Sequence, residues 1–325
     1  MPLRGKVVVI TGASRGLGLV MARELAQQGA RLALVAQHET PLDRALGELS
    51  AGGADVDATV CDVRDRDAVG AAVEAIAAHF GRIDMLINNA GIIQVGPLDN
   101  MEHADYRRAM DVHFWGAVNM TEAVLPYMRR GRSSRSDQKR IVNISSIGGK
   151  VAVPHLAPYV ASKFALAGYS DALAAELRRE GIRVTTVVPG LMRTGSPRNV
   201  GVKGKHGREY AWFVLLGSAP IVSIDARRAA RQIIAAARRG DASLVITPAA
   251  RAMVALAGLA LGVLATGLAI GARLLPRAAG ADGDVELRGY EARPGWVPRL
   301  ATVMNDRAAV RNNETAWLTS SPASP

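Results

Sequence analysis

A chain of 325 residues, 49% hydrophobic and 21% charged, has room for one large globular domain and an extension. Glycine (33) and proline (15) stay near average usage and no fixed-period repeat is visible, which excludes collagenous, solenoid and wholly disordered chains. A single cysteine, Cys61, supplies neither an intramolecular disulfide nor a thiolate metal cluster, so a reducing, cytoplasmic setting is expected; the net charge of +11 argues only weakly for nucleic acid.

The opening MPLRGKVVVITGAS reaches an apolar run after six residues, too early for a signal peptide, so export by that route is not expected. A β-branched run at Lys6–Thr11 predicts a strand, the spacing over Gly16–Gln28 a helix, and Arg31–Ala36 a second strand. The alternation continues with a strand at Val56–Val60, a helix over Asp65–Phe80, a strand at Ile83–Ile87, a long helix at Ala104–Arg129 and a strand at Arg140–Ile144. A helix over Pro158–Glu180, a strand at Ile182–Val188, a helix at Asp225–Arg239 and a strand at Leu244–Thr247 complete seven strands within residues 1–248. Short apolar strands separated by amphipathic helices predict an α/β fold with a doubly wound parallel sheet.

The segment Arg129–Arg140 carries six bases and one acid, with no interleaved aromatic residue, and reads as a solvated loop rather than a nucleic-acid site. Residues Ala252–Ala272 hold no charge but include seven Ala and four Gly. One long helix is expected there, long enough to span a bilayer, which is the second reading; the first is a helix lying on a membrane surface or packed on the domain, because Ala and Gly contribute little to insertion. From Leu275 the chain is polar and reads as a partly ordered tail, so residues 249–325 are taken as a C-terminal extension.

Three features carry chemistry. TGASRGLG places Gly12, Gly16 and Gly18 where the first strand turns into a helix, the setting in which backbone can approach a pyrophosphate at a helix N-terminus. The second strand ends at Gln37-His38 without the acid that pairs with the ribose of NAD. Arg15 lies inside the glycine turn, where a guanidinium suits a 2′-phosphate, so NADP(H) is favoured and NAD(H) is the second candidate. Tyr159 and Lys163 lie four apart on a predicted helix, where an ammonium beside a phenol would lower its pKa toward the range of a general acid/base. Ser146, at the carboxyl end of a strand, could donate to a carbonyl oxygen.

With TGASRGLG, Asp62, NNAG (88–91), ISS (144–146), YVASK (159–163) and Pro189-Gly190 with Thr194, the sequence resembles the short-chain dehydrogenase/reductase family over residues 5–248, in its shorter single-domain branch. The resemblance implies a Rossmann-type sheet and hydride transfer between a nicotinamide and a small-molecule carbonyl or secondary alcohol. It implies that Gly12, Ser14, Arg15, Leu17 and Gly18 hold phosphates and ribose, that Asp62 and Val63 flank the adenine, and that Asn89 and Gly91 border the adenosine half. Tyr159 and Lys163 would reach the nicotinamide ribose, and Pro189, Gly190 and Thr194 the nicotinamide itself. It also implies a homo-oligomer built on the helices at Ala104–Arg129 and Pro158–Glu180. His113 stands where the family usually has Asn, and is open to two readings, a proton relay or a packed helix residue. The aromatic cluster Tyr210–Leu216 points to an apolar substrate. The alternative function is an NADP-binding sensor or scaffold without turnover.

Overall fold

The computed structural model describes residues 1–130, 138–219 and 223–315. Most of the basic segment read at Arg129–Arg140, residues 131–137, lies outside the described residues.

Seven parallel strands form the central sheet: β1 (Val7–Thr11), β2 (Arg31–Ala36), β3 (Val56–Val60), β4 (Met85–Asn88), β5 (Lys139–Ile144), β6 (Ile182–Pro189) and β7 (Ser243–Ile246). Their spatial order is β7-β6-β5-β4-β1-β2-β3, so the chain leaves β1 in one direction and returns to its other side at β4. This Rossmann-type order creates a crevice at the carboxyl ends of β1 and β4. All seven expected strands are present, each within two residues of its predicted bounds.

Helices cover both faces, as a parallel sheet requires. On one face α1 (Gly16–Ala26), α2 (Glu39–Ala51) and α8 (Ala226–Arg239) bury a cluster that includes Leu19, Leu25, Leu42 and Ile233. On the other, α3 (Arg66–Phe80), α5 (Gly116–Arg130) and α6 (Ala157–Leu177) cover Ile76, Met120 and Val124. The single helix expected at Ala104–Arg129 is three pieces in line: α4 (His103–Met110), a π-helical turn at Asp111–Trp115, and α5. Such wide turns recur at functional sites, and this one carries His113.

At the amino ends of the strands, opposite the crevice, Asp84 is fully enclosed. It accepts from the Val7 backbone N–H (3.0 Å), Lys139 Nζ (2.8 Å) and Arg82 Nε (2.8 Å). Burial pushes the Asp84 carboxyl up, but the bonds from Arg82, Lys139 and Val7 outweigh it and hold the group down at about 2.

Two expectations for the extension need correction. Residues Ala252–Ala272 are not one helix: α9 (Pro248–Leu259) and α10 (Leu261–Ala272) meet at Ala260, whose backbone (φ −147°, ψ 59°) leaves the helical region. Gly258 and Gly262 flank the break, and glycine is the weakest ordinary helix former. Second, the chain after Leu275, expected to be a partly ordered tail, carries regular elements that pack on the domain among its described residues, 275–315. Leu287–Arg288 adds an antiparallel strand to Gly201–Val202, which pairs in parallel with Gln94–Val95. Beyond it α11 (Arg299–Arg311) packs on α7 (His206–Ser218). Polar residues here satisfy contacts with the domain: Gln94 Nε2 donates to Glu286 (2.7 Å), Arg108 pairs with Glu286, and Asn100 Nδ2 donates to Asp284 (2.7 Å).

Candidate active site

The glycine turn follows β1 directly. Gly12 (φ +63°) occupies the left-handed region, and a Cβ there would lie 2.9 Å from Ala90 Cα; at Gly18 it would overlap the carbonyl of Gly12. The two loops are laced together as well. Thr11 Oγ1 accepts from the backbone N–H of Asn89 (2.9 Å) and Ala90 (3.0 Å), while Asn89 Nδ2 donates to the carbonyls of Thr11 (2.9 Å) and Gly12 (3.2 Å). Asn89 therefore shapes the crevice by holding β1 to β4. Ser14 and Leu17 are buried in the turn. Arg15 stands at the N-cap of α1 with extended backbone and no side-chain cap on the helix, so the first turn presents N–H groups and a guanidinium together, a donor set suited to anions.

The corner at the ends of β2 and β3 gathers Gln37, Asp62 and Arg64. Asp62 Oδ2 accepts from Gln37 Nε2 (3.0 Å) and Arg64 Nε (2.9 Å), and the Arg64 guanidinium holds its carboxyl below the usual range. Val63 is pinned by Asn119 Nδ2, which donates to its carbonyl (3.0 Å). Arg64 escaped the sequence reading. Its signal was a basic residue two positions after the expected adenine-side Asp62.

Ser146 follows β5, buried, as N-cap of a short 3₁₀ turn whose Gly148 N–H it accepts (3.1 Å). It shares Gly148 with Tyr159: a Cβ on that glycine would lie 3.6 Å from Ser146 Oγ and 3.1 Å from Tyr159 Cε1. Tyr159 and Lys163 share one side of α6, with Lys163 Nζ 5.8 Å from the Tyr159 ring centroid and donating to the Ile144 carbonyl (2.9 Å). Burial pulls the Lys163 ammonium down to about 7. It also raises the Tyr159 phenol, against a lowering influence of Ser146, where the neighbouring ammonium had been expected to lower it. Pro189 and Gly190 close the crevice beyond β6. Gly190 N donates to Ile246 O (3.2 Å), and a Cβ on it would strike Thr247 Oγ1 at 2.6 Å. Thr194 is buried, its hydroxyl donating to Ser196 Oγ (2.9 Å).

His113 is enclosed on the π-helical turn, edge-on to Tyr159 with centroids 5.4 Å apart. Its Nε2 accepts from the Ile92 N–H (3.0 Å) and its Nδ1 lies 2.7 Å from Ser162 Oγ. Ser162 spends its own hydrogen on the Tyr159 carbonyl (2.8 Å), so Nδ1 is the donor and the ring is neutral. Burial and the Lys163 ammonium hold the imidazole well below its ordinary pKa, consistent with that tautomer. Next to the crevice, β-branched and aromatic residues (Val95, Val202, Tyr210, Val214) form a third apolar cluster against which Tyr159, Trp212 and Phe213 pack.

Among the described residues, then, the sequence-predicted set lies along one crevice at the carboxyl ends of the strands, in an oxidoreductase domain of dinucleotide-binding type. The family model described as short chain dehydrogenase matches residues 6–203. SadH of Mycobacterium tuberculosis, an oxidoreductase by name, is 37% identical over 255 residues, covering 78% of this chain and 90% of that one. The 3-ketodihydrosphingosine reductase of Bacteroides thetaiotaomicron is 38% identical over 211 residues, 64% and 73% of the two chains. A short chain dehydrogenase/reductase from Burkholderia phymatum, solved in complex with NAD, superposes with a TM-score of 0.72 at 25% identity, covering 81% of this chain and 96% of that one. The chain belongs to the short-chain dehydrogenase/reductase family. It is a nicotinamide-dependent oxidoreductase that transfers hydride between the cofactor and carbonyl or hydroxyl groups.

Proposed function

We propose an NADP(H)-preferring enzyme for an apolar ketone or secondary alcohol, with residues 1–248 as the catalytic unit and 249–325 as an extension that completes the substrate side and meets a membrane surface. The observation that supports the reading is the gathering of Ser146, Tyr159 and Lys163 at one corner of the crevice, where Ser146 and Tyr159 flank Gly148 and Tyr159 packs against the apolar cluster of Tyr210 and Val214. The residues present fit a dinucleotide: glycines whose Cβ atoms would close the turn, an α1 N-terminus without a side-chain cap, and a guanidinium at Arg15. Gly12, Ser14, Leu17 and Gly18 would hold the phosphates, Asp62, Val63, Asn89 and Gly91 the adenosine half, and Pro189, Gly190 and Thr194 the nicotinamide end. The bound cofactor would supply or accept the hydride. In reduction Ser146 holds the substrate oxygen, Tyr159 Oη gives it a proton, and Lys163 sustains the phenolate and binds the ribose. His113, with both ring nitrogens engaged, acts as a positioning residue that ties the Ile92 loop to α6 rather than as a relay.

The preference for NADP(H) rests on Arg15 with Gln37 in place of an acid. A panel of short- and long-chain ketones, followed at 340 nm with NADPH or NADH, tests substrate class and cofactor together. Long-chain ketones with NADPH should turn over fastest, and Arg15→Ala should cost NADPH at least 10-fold more in KM than NADH, on the order of one charge-assisted phosphate contact. Equal losses for both nucleotides defeat the preference. No turnover of any ketone on the panel, despite cofactor binding, defeats the proposed substrate class.

Membrane contact is supported by α9 and α10. No described helix is long and apolar enough to cross a membrane, and twelve residues reach only about 18 Å. Yet Leu259, Leu261, Val263, Ile270 and Leu274 are exposed in a stretch that has no acid from 242 to 281 and includes Arg251, Arg273 and Arg277. The full chain should co-float with vesicles containing anionic lipid, and Leu259→Glu with Leu261→Glu should abolish it; a chain that stays in the aqueous fraction refutes membrane contact. The exposed Trp115 and Phe164, by α5 and on α6, would be covered by a second copy, which sedimentation would show as a dimer or larger.

A further inference from the structure

The last described residues of the chain lie across the glycine turn. Where α11 ends, the Gly16 N–H donates to the Asn312 carbonyl (2.9 Å). Asn313, in the left-handed region at φ +60°, donates from Nδ2 to the carbonyls of Ser14 (2.8 Å) and Pro41 (3.0 Å). The Glu314 carboxylate is buried against the turn. One oxygen sits 3.6 Å from Arg15 Nη1 and accepts from Asn199 Nδ2 (2.6 Å), and the other lies 2.7 Å from the point where a Gly16 Cβ would be. Asn312 is tied to both walls of the crevice, accepting from Arg23 Nη1 (3.4 Å) and donating to the Thr194 carbonyl (2.9 Å). A carbonyl oxygen and a carboxylate thus use the N–H and the guanidinium that a pyrophosphate and a 2′-phosphate would need.

We propose that Asn312–Glu314 is an intramolecular occupant of the dinucleotide phosphate site, that the cofactor binds by displacing it, and that Glu314 is a determinant of cofactor affinity and of the choice between NADP and NAD. The proposal rests on the reading of the glycine turn and Arg15 as the cofactor's binding residues. Three features make the occupant displaceable. Its carboxylate is carried into a buried setting where, among the described residues, the cation paired with it stands 3.6 Å away, a poor return for the lost hydration. Burial accordingly pushes the Glu314 carboxyl up, against Arg15 and Asn199. The contacts come from one turn beyond a helix end, so their release leaves the seven-stranded sheet and its two apolar layers in place. A site that is free only part of the time lowers apparent affinity by that fraction. A segment seated in nine molecules of ten would weaken cofactor binding about 10-fold.

The test is a titration of NADPH and NADH, read by nucleotide fluorescence, into the full chain and two variants, together with hydrogen exchange of the peptide spanning α11 and Asn312–Thr315. Asn313→Asp keeps a residue that tolerates the left-handed region but sets a carboxylate against two carbonyl oxygens. It should tighten both nucleotides about 10-fold. Glu314→Gln leaves the shape and removes the charge facing Arg15, so NADPH should gain more than NADH. In the unsubstituted chain, adding NADPH should speed exchange in Asn312–Thr315. Unchanged or weaker binding in both variants, with exchange in that peptide unaffected by nucleotide, overturns the proposal and leaves the segment as a structural strap. Absence of nucleotide binding in every form overturns the cofactor-site reading itself, and the proposal with it. Thermal scans that match the unsubstituted chain confirm that each variant is folded.

Discussion

Tyr159→Phe should lower kcat/KM by roughly 10²- to 10⁴-fold, the span of a positioned general acid, with the Kd for NADPH essentially unchanged. The substitution removes one oxygen from a ring that is packed edge-on against His113 and lies against Gly148, where a Cβ would meet Tyr159 Cε1 at 3.1 Å. The cavity is therefore preserved and only the phenol's oxygen and proton are lost. Steady-state turnover alongside fluorescence titration separates the two parameters. A kcat/KM within a few-fold of the parent would mean that the proton comes from elsewhere; a parallel loss of nucleotide affinity would mean that the phenol is part of the cofactor site's structure.

The second large effect concerns the opposite end of the sheet. Asp84→Ala should destabilise the fold by roughly 3–5 kcal/mol, because it strands the enclosed Lys139 ammonium without its carboxylate and leaves the Val7 N–H without an acceptor. In a thermal scan that is a fall on the order of 10 °C. The pH dependence has a definite sign. The native carboxyl is held at about 2, below its ordinary 3.8, so its contribution is complete above about pH 4 and is lost as pH falls from there through about 2. The gap in stability between parent and variant, followed by urea unfolding, should therefore narrow over that interval. A gap that is constant down to pH 2, or below 1 kcal/mol at pH 7, rules out the buried pair as the cause.

How much of this was legible beforehand differs from element to element. The strands were readable because a parallel sheet covered on both faces needs near-continuous apolar and β-branched runs such as Val7–Ile10 and Val184–Val188. The glycine turn was readable because sterics leave no other residue type at Gly12 and Gly18. Helix α2 was missed although Leu42, Ala45 and Leu49 keep helical spacing, since Pro41 looks like a breaker until it is placed in the first turn. The order in residues 275–315 was hidden for a different reason. Asn312, Asn313 and Glu314 bond to the backbone and side chains of residues between 115 and 299 positions away, and local pattern carries no trace of that. The pairing of His113 with Ser162 belongs to the same class, because a ring's tautomer depends on partners from another helix.

The separation between the two ends has a bearing on the order of assembly. Asn313 and Ser14 are 299 positions apart, and contacts of such span close the longest loops, at the highest entropic cost. During synthesis every strand of the large sheet, through Ile246, has left the ribosome well before Asn312 does. A nascent chain thus has every residue of its β1–β4 crevice in hand before the segment that lies across it is made, so on the displacement proposed above a chain that folds as it is made meets its first dinucleotide without a competitor from its own sequence.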